Sequence, residues 1–373
     1  MPTQVIDIDK FLKLAQVFPV LDVRSPGEHG QAHFPGAISL PIFTDEQRKI
    51  IGTAYKQQSR EAAVDLGIHF FAERMKIMPG EVSEILKKID PDKSKPDQKI
   101  SPGEKSLLIH CWRGGMRSEA VAWLLSLYGY KIYVLKGGYK AYRTWALLQF
   151  EKEYSLKILG GFTGSGKTEV LQEMQRRGKL IIDLEGLAHH KGSSFGALGQ
   201  KPQPSQEMFE NSLALHLWKA KSFASPNSDA PTKIINEIWL EDESRHIGSV
   251  GIPQKLWEQM RKMPLYFLDI PQEERINFIV SQYGEFEQQL LIDSITRIQK
   301  KLGGLETKNA INFLLEGKVK ECFSILIRYY DKLYINSMHK RENIDLLLNK
   351  IPAKSVTVEN ASNISDHDLL AAD

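Results

Sequence analysis

Twice in this chain a short apolar run leads through a glycine-bearing loop into a helical pattern, which restricts the fold to layered α/β units with parallel sheets. In the first, residues 106–110 run into Cys111 and a helix follows over 119–127. In the second, residues 156–159 precede a Gly-rich turn and a helix from about Lys167. Strand-like runs at 18–24, 37–41 and 131–135 belong with the first unit, and runs at 180–183, 233–236 and 265–269 with the second. Residues 45–90 are rich in helix formers and read as an insertion, 92–99 have loop composition, and the chain looks helical from about 272 onward. The expected organisation is a domain over 1–148 with that insertion, a second α/β domain over 149–271, and a helical region over 272–373.

Composition sets the class. Hydrophobic residues make up 42% of the 373 and charged residues 25%, the range of an ordinary globular protein. No apolar run approaches the ~18 residues that a membrane span needs. The start, MPTQVIDIDK, lacks the apolar stretch of a secretory signal. A cytoplasmic location without membrane attachment is expected. The net charge of +3 permits an anionic partner without requiring one.

The 2 cysteines, Cys111 and Cys322, argue against a disulfide framework and exclude a metal site built on cysteine pairs. Cys322 lies in an apolar helical pattern and reads as a core residue. Cys111 is different. In His110-Cys111-Trp112-Arg113-Gly114-Gly115-Met116-Arg117-Ser118 it stands at a strand end, where loop amides and a helix N-terminus lower a thiol pKa and attract anions. Gly114 and Gly115 let the backbone curl, Arg113 and Arg117 add charge suited to a tetrahedral oxyanion, and Ser118 closes the anion loop. The spacing fits cysteine phosphatases as well as sulfurtransferases, since both begin with a thiolate.

A second anion site is written into Gly161-Phe162-Thr163-Gly164-Ser165-Gly166-Lys167-Thr168, a full match to the Walker A pattern. Amides over Gly161, Gly164, Ser165 and Gly166 would wrap a di- or triphosphate, Lys167 would reach its terminal oxygens, and Thr168 would ligate Mg²⁺. Asp183 is a candidate second carboxylate on the metal side, or a helix N-cap. His189 and His190 read as part of a polar, substrate-facing loop rather than as metal ligands.

The segments Leu21-Asp22-Val23-Arg24-Ser25-Pro26-Gly27-Glu28, His33-Phe34-Pro35-Gly36-Ala37-Ile38-Ser39-Leu40-Pro41 and Val134-Leu135-Lys136-Gly137-Gly138-Tyr139 resemble the signatures of rhodanese domains, over about residues 5–145. Two departures are visible: Ala32 stands where Gly is usual, and five residues separate Cys111 from Arg117, a longer loop than in common sulfurtransferases. The longer loop is of the kind seen in rhodanese-fold phosphatases and suits a phosphate-sized group.

Joined to a P-loop domain, and with Gly52-Thr53-Ala54-Tyr55-Lys56-Gln57, the stretch from Asp183 to Gly196, and Glu243-Ser244-Arg245-His246-Ile247-Gly248, the chain resembles the tRNA 2-selenouridine synthases. The resemblance implies a substrate, the 2-thiolated wobble uridine (U34) of tRNAs for Lys, Glu and Gln. It also implies two steps: S-geranylation from geranyl diphosphate, then selenium transfer from selenophosphate. On that reading Cys111 attacks selenium, displaces phosphate and carries the selenium to C2 of the uridine. The P-loop holds the diphosphate, Mg²⁺ is an optional helper, no cofactor is tightly bound, and a monomer is expected. Candidate RNA contacts are Lys131, Lys136, Lys140, Arg143, Arg176, Arg177, Lys179, Arg328, Tyr329, Tyr330 and Lys332. Two other readings stay open: a phosphatase or sulfurtransferase with a nucleotide-binding domain, and a nucleotide-gated tRNA-binding switch with Cys111 as redox sensor.

Overall fold

The computed structural model describes residues 3–89, 105–222 and 237–364. The strand expected at 233–236 and the loop at 92–99 lie outside them. The chain divides into two compact units, Met1–Leu148 and Gln149–Asp373.

The first unit runs β1 (Gln4–Ile6), α1 (Ile8–Leu14), β2 (Val20–Asp22), α2 (Pro26–Gln31), β3 (Ile38–Ser39), α3 (Asp45–Gln57), α4 (Arg60–Lys88), β4 (Ser106–His110), α5 (Met116–Leu127), β5 (Lys131–Leu135) and α6 (Gly138–Gln149). Its five strands form a parallel sheet in the order β1-β5-β4-β2-β3. Every residue of β4 is buried, which is why that strand reads as an unbroken apolar run rather than an alternation. The insertion starts at a capping box, in which the Thr44 hydroxyl accepts from the Gln47 amide at 3.2 Å and the Gln47 side chain accepts from the Thr44 amide at 3.0 Å. It is no appendage: Phe71, Met78 and Val82 of α4 enter the same core as Leu21, Ile109, Val121 and Ile132.

The second unit runs β6 (Leu156–Gly161), α7 (Lys167–Arg176), β7 (Leu180–Ile182), α8 (Leu184–Ala188), α9 (Gln206–Ser222), β8 (Ile238–Glu241), β9 (His246–Ile247), β10 (Val250–Gly251), α10 (Gln254–Met260), β11 (Leu265–Asp269), α11 (Gln272–Tyr283), α12 (Gln288–Arg297), α13 (Gln299–Leu302), α14 (Gly304–Leu315), α15 (Val319–Met338), α16 (Ile344–Leu347) and β12 (Leu348–Pro352). Five of its strands form a parallel sheet in the order β12-β11-β6-β8-β7, with β9 and β10 as a separate antiparallel hairpin. The C-terminal region is helical with one exception that the sequence did not announce. β12 pairs with β11 along its whole length, Leu265 opposite Leu348 through Asp269 opposite Pro352. The last strand thus belongs to the P-loop sheet, and Ile351, Ala361 and Ile364 share a core with Leu159, Val170 and Leu268. Helices α11, α12, α14 and α15 bury a second core around Ile279, Leu291, Ala310 and Phe323, where Cys322 sits fully buried.

Candidate active site

Residues 111–115 join the C-terminal end of β4 to the N-terminus of α5, so the loop amides and the positive end of that helix converge on one spot. Gly114 holds a φ of +68°, and a Cβ there would stand 2.5 Å from the Leu135 carbonyl oxygen. Gly138, at φ +60°, lies against the other side of the loop, where a Cβ would be 2.4 Å from the Cys111 carbonyl oxygen. The amides of Tyr139 and Lys140 donate to the carbonyls of Cys111 (2.8 Å) and Trp112 (3.0 Å). The Gly137-Gly138 pair is therefore the buttress that fixes the shape of the cysteine loop.

Cys111 is 3% exposed, with its Sγ 3.3 Å from the Ser118 hydroxyl, which also donates to the Gly115 carbonyl at 2.9 Å. Burial alone would raise the thiol pKa. The Ser118 hydroxyl, the Arg117 guanidinium and the amides of Arg113 and Ser118 outweigh it, and the net direction is down. Arg117 is held by Glu28 at 2.9 Å, and Glu28 is itself fixed by the Ser25 amide at 3.1 Å. Arg113 is exposed and makes no ion pair among the described residues. Beneath the loop, Arg24 makes a fully buried bidentate pair with Asp22 (2.6 Å at its closest) and lies 3.9 Å from the centroid of the Tyr139 ring. Burial pushes His110 down to about 4, so it is neutral at pH 7.

The Walker A segment links β6 to α7. Gly164 (φ +83°) and Gly166 (φ +70°) are required: a Cβ would stand 2.7 Å from Ile279 in the first case and 2.5 Å from Val356 in the second. The Lys167 ammonium donates to the Gly161 carbonyl at 3.1 Å, and the Thr168 hydroxyl to Glu185 at 3.0 Å. The Ser165 hydroxyl is fully buried and without a partner among the described residues. Asp183 is the N-cap of α8, accepting from the Gly186 amide at 2.6 Å. The cap is one of the two readings the sequence allowed for it. His189 caps the other end of α8 at φ +51°, and its Nδ1 lies 2.8 Å from the Pro202 carbonyl.

Several residues of this site had no role assigned from the sequence, although Glu185 and Glu243 lie within stretches that carry the family resemblance. Glu185 and Glu243 both lie within 3.0 Å of where a Gly192 Cβ would be, beside Thr168. Burial raises the Glu185 pKa, with Lys167 opposing, and burial together with Glu185 raises Glu243 well above the carboxylate range. Glu241 is fully buried, its Oε2 accepting from the Leu184 amide at 2.9 Å. Glu185 comes from α8, whereas Glu241 and Glu243 come from the end of β8, beside the P-loop strand, where nucleotide-binding sheets commonly deliver a carboxylate. An apolar run, Ile238 to Leu240, followed by three acids was the signal that could have revealed them. Arg275 of α11, 3% exposed, donates to the Thr163 carbonyl at 3.1 Å and pairs bidentately with Asp331 at 2.9 and 2.8 Å. The Tyr334 hydroxyl donates to Asp242 at 2.6 Å, and Arg341 pairs with the same carboxylate.

Among the described residues no group of three or more His, Cys, Asp or Glu forms a metal cage. Thr168 and Glu185 do offer hard oxygen donors side by side. That fits Mg²⁺, which takes one or two protein oxygens and completes its shell with phosphate and water.

Residues 7–144 match the family model of rhodanese-like domains, and residues 154–353 match the model described as the tRNA 2-selenouridine synthase AAA domain. The chain is 33% identical over 349 residues to a tRNA 2-selenouridine synthase of Sulfurovum sp. (strain NBC37-1), covering 85% of this chain and 87% of the other. A protein of the same name from Pseudomonas syringae pv. syringae (strain B728a) is 32% identical over 366 residues, covering 88% and 90%. One from Shewanella piezotolerans is 31% identical over 375 residues, covering 91% and 94%.

Proposed function

This chain belongs to the tRNA 2-selenouridine synthase family, and we propose that it replaces sulfur by selenium at C2 of the wobble uridine of tRNAs for Lys, Glu and Gln. The observation that carries the reading is a pair of glycine-bearing strand-to-helix loops, one holding a thiol of lowered pKa and the other Lys167. The P-loop binds the diphosphate of a geranyl donor. Sulfur of 2-thiouridine attacks C1 of the geranyl chain, the C–O bond breaks, diphosphate leaves against Lys167 and the loop amides, and the N3 proton is lost. When Mg²⁺ is bound, Thr168 and Glu185 would hold it, and its charge would offset that of the diphosphate.

The second step uses the cysteine loop. Attack of a thiolate on the selenium of selenophosphate, the route expected from the sequence, does not balance with release of phosphate, because the Se–P electron pair would leave with phosphorus at the phosphite level. A balanced route reverses the order. Selenium of selenophosphate adds to C2 of the S-geranylated uridine, and geranylthiolate leaves and takes up a proton. The Cys111 thiolate then attacks phosphorus, the P–Se pair returns to selenium, and water hydrolyses the S-phosphocysteine to phosphate and free thiol. A seven-residue loop from Cys111 to Arg117, long enough for a tetrahedral anion, supports this route.

The test is one incubation with thiolated tRNA, geranyl diphosphate and selenophosphate, followed by digestion and mass measurement of the nucleosides. S-geranyl-2-thiouridine and 2-selenouridine are expected in sequence, and ³²P on Cys111 is expected from labelled selenophosphate. Unchanged 2-thiouridine, or release of phosphate from selenophosphate alone at the full rate, would overturn the reading.

A further inference from the structure

The stretch from Glu243 to Gly248 takes part in the P-loop centre only through its first residue. The remainder forms the approach to the β9–β10 hairpin, and that hairpin is clamped. The Gln203 amide donates to the carbonyls of Ala188 and Ile247, both at 3.0 Å, while its oxygen accepts from the Ser249 amide at 2.8 Å. Gln206 exchanges two 2.7 Å hydrogen bonds with the backbone of Gly251. Ile247, Val250 and Ile252 are buried to 1% exposure or less. One side of the hairpin is thus anchored, and the other is presented.

The presented side lines an open cleft of about 430 Å³, walled by Arg245, His246, Ser249, Gln206, Glu210 and Gln254. That is a volume suited to a nucleotide-sized group. The Arg245 carbonyl is fixed by the Ile252 amide at 2.8 Å, yet its exposed guanidinium makes no hydrogen bond or ion pair among the described residues. The His246 ring lies over Gly251, where a Cβ would be 3.5 Å away. Glu210, the acid on the wall, is engaged by the Gln206 amide at 2.8 Å. An exposed guanidinium with its donors free, carried on a backbone position that the hairpin fixes, can meet a phosphate in bidentate fashion. It stands two residues from Glu243, at the edge of the P-loop centre.

We propose that this cleft is an RNA-backbone subsite, in which Arg245, with His246 beside it, holds a phosphodiester flanking the uridine that reacts at the P-loop, while Ser249, whose amide and hydroxyl both donate to Gln203, fixes the hairpin. The inference rests on tRNA being the substrate. Its test is tRNA affinity of the full chain measured between 50 and 200 mM salt, a range over which backbone contacts are read as a slope. Arg245→Ala should weaken binding roughly tenfold at the low end and lower the log–log salt slope by about 0.7–0.9, one phosphate contact. Arg245→Lys should keep the slope. The KM for tRNA should rise with Arg245→Ala, while binding of inorganic diphosphate at the P-loop stays as in the wild type, which a merely collapsed hairpin would not allow. An unchanged slope in Arg245→Ala, on a wild type with a steep one, overturns the subsite alone. A wild type that binds tRNA without salt dependence overturns the substrate reading as well.

Discussion

At the scale of the residue, the two cysteines show how surroundings decide chemistry. Cys322 is sealed among Phe323, Leu314 and Ile295, and burial pushes its thiol up to about 12. Cys111 is nearly as buried, but a hydroxyl, a guanidinium and two amides turn the balance and lower its pKa. Iodoacetamide should therefore label Cys111 selectively. Because the shift is downward, the rate should persist to lower pH than for an ordinary thiol and fall only as pH drops through the lowered pKa. Ser118→Ala removes the hydroxyl that does most to stabilise the thiolate and should move that midpoint upward. Gly138→Ala should cost at least about 1 kcal/mol from its φ of +60° alone, read in a denaturant titration, and should also reduce alkylation of Cys111, since the new methyl would press on that residue's carbonyl. Cys111, Arg117 and Ser118 were legible in the sequence because one short segment carries them all. Glu28, which holds Arg117 from 89 residues away, was not, because only the sheet order brings it there.

At the scale of the element, the strands read with their full bounds are those buried almost throughout. The runs at 106–110, 131–135 and 265–269 coincide with β4, β5 and β11. β12 escaped because Leu348-Asn349-Lys350-Ile351-Pro352 is a short edge strand following directly on a helical turn, and it was absorbed into the region read as helical from about 272 onward. The meeting of Glu185 with Glu243 escaped for another reason: one follows β7 and the other β8, and they come together only because those strands lie side by side. Helices α11 and α15 are tied to the P-loop by the pair of Arg275 with Asp331. Replacing Arg275 by Met leaves Asp331 uncompensated, and should cost about 3 kcal/mol and loosen diphosphate binding, checked by chemical denaturation and calorimetry.

At the scale of the whole molecule, each unit carries one phosphate cradle, and the proposed reaction divides between them. Lys167→Ala should abolish geranylation and spare selenation of RNA geranylated beforehand, while Cys111→Ser should do the reverse. Mixing the two variants should restore 2-selenouridine, at a rate below that of the wild type, because the geranylated tRNA has to leave one chain and enter another. Time courses of both nucleosides would show this directly. No described helix is long and apolar enough to cross a membrane.

The strand order β12-β11-β6-β8-β7 has a consequence for how the protein is made. A ribosome delivers β6 and its glycine loop first, yet the neighbour that completes β11 on its outer side arrives about two hundred residues later. Val356, which rests against Gly166, emerges later still. The cysteine loop can take shape while the chain is still being synthesised. The P-loop half has its walls in place only once β12 and Val356 have emerged, so a message cut short before them would yield a chain with a finished thiol centre and an unsupported phosphate loop.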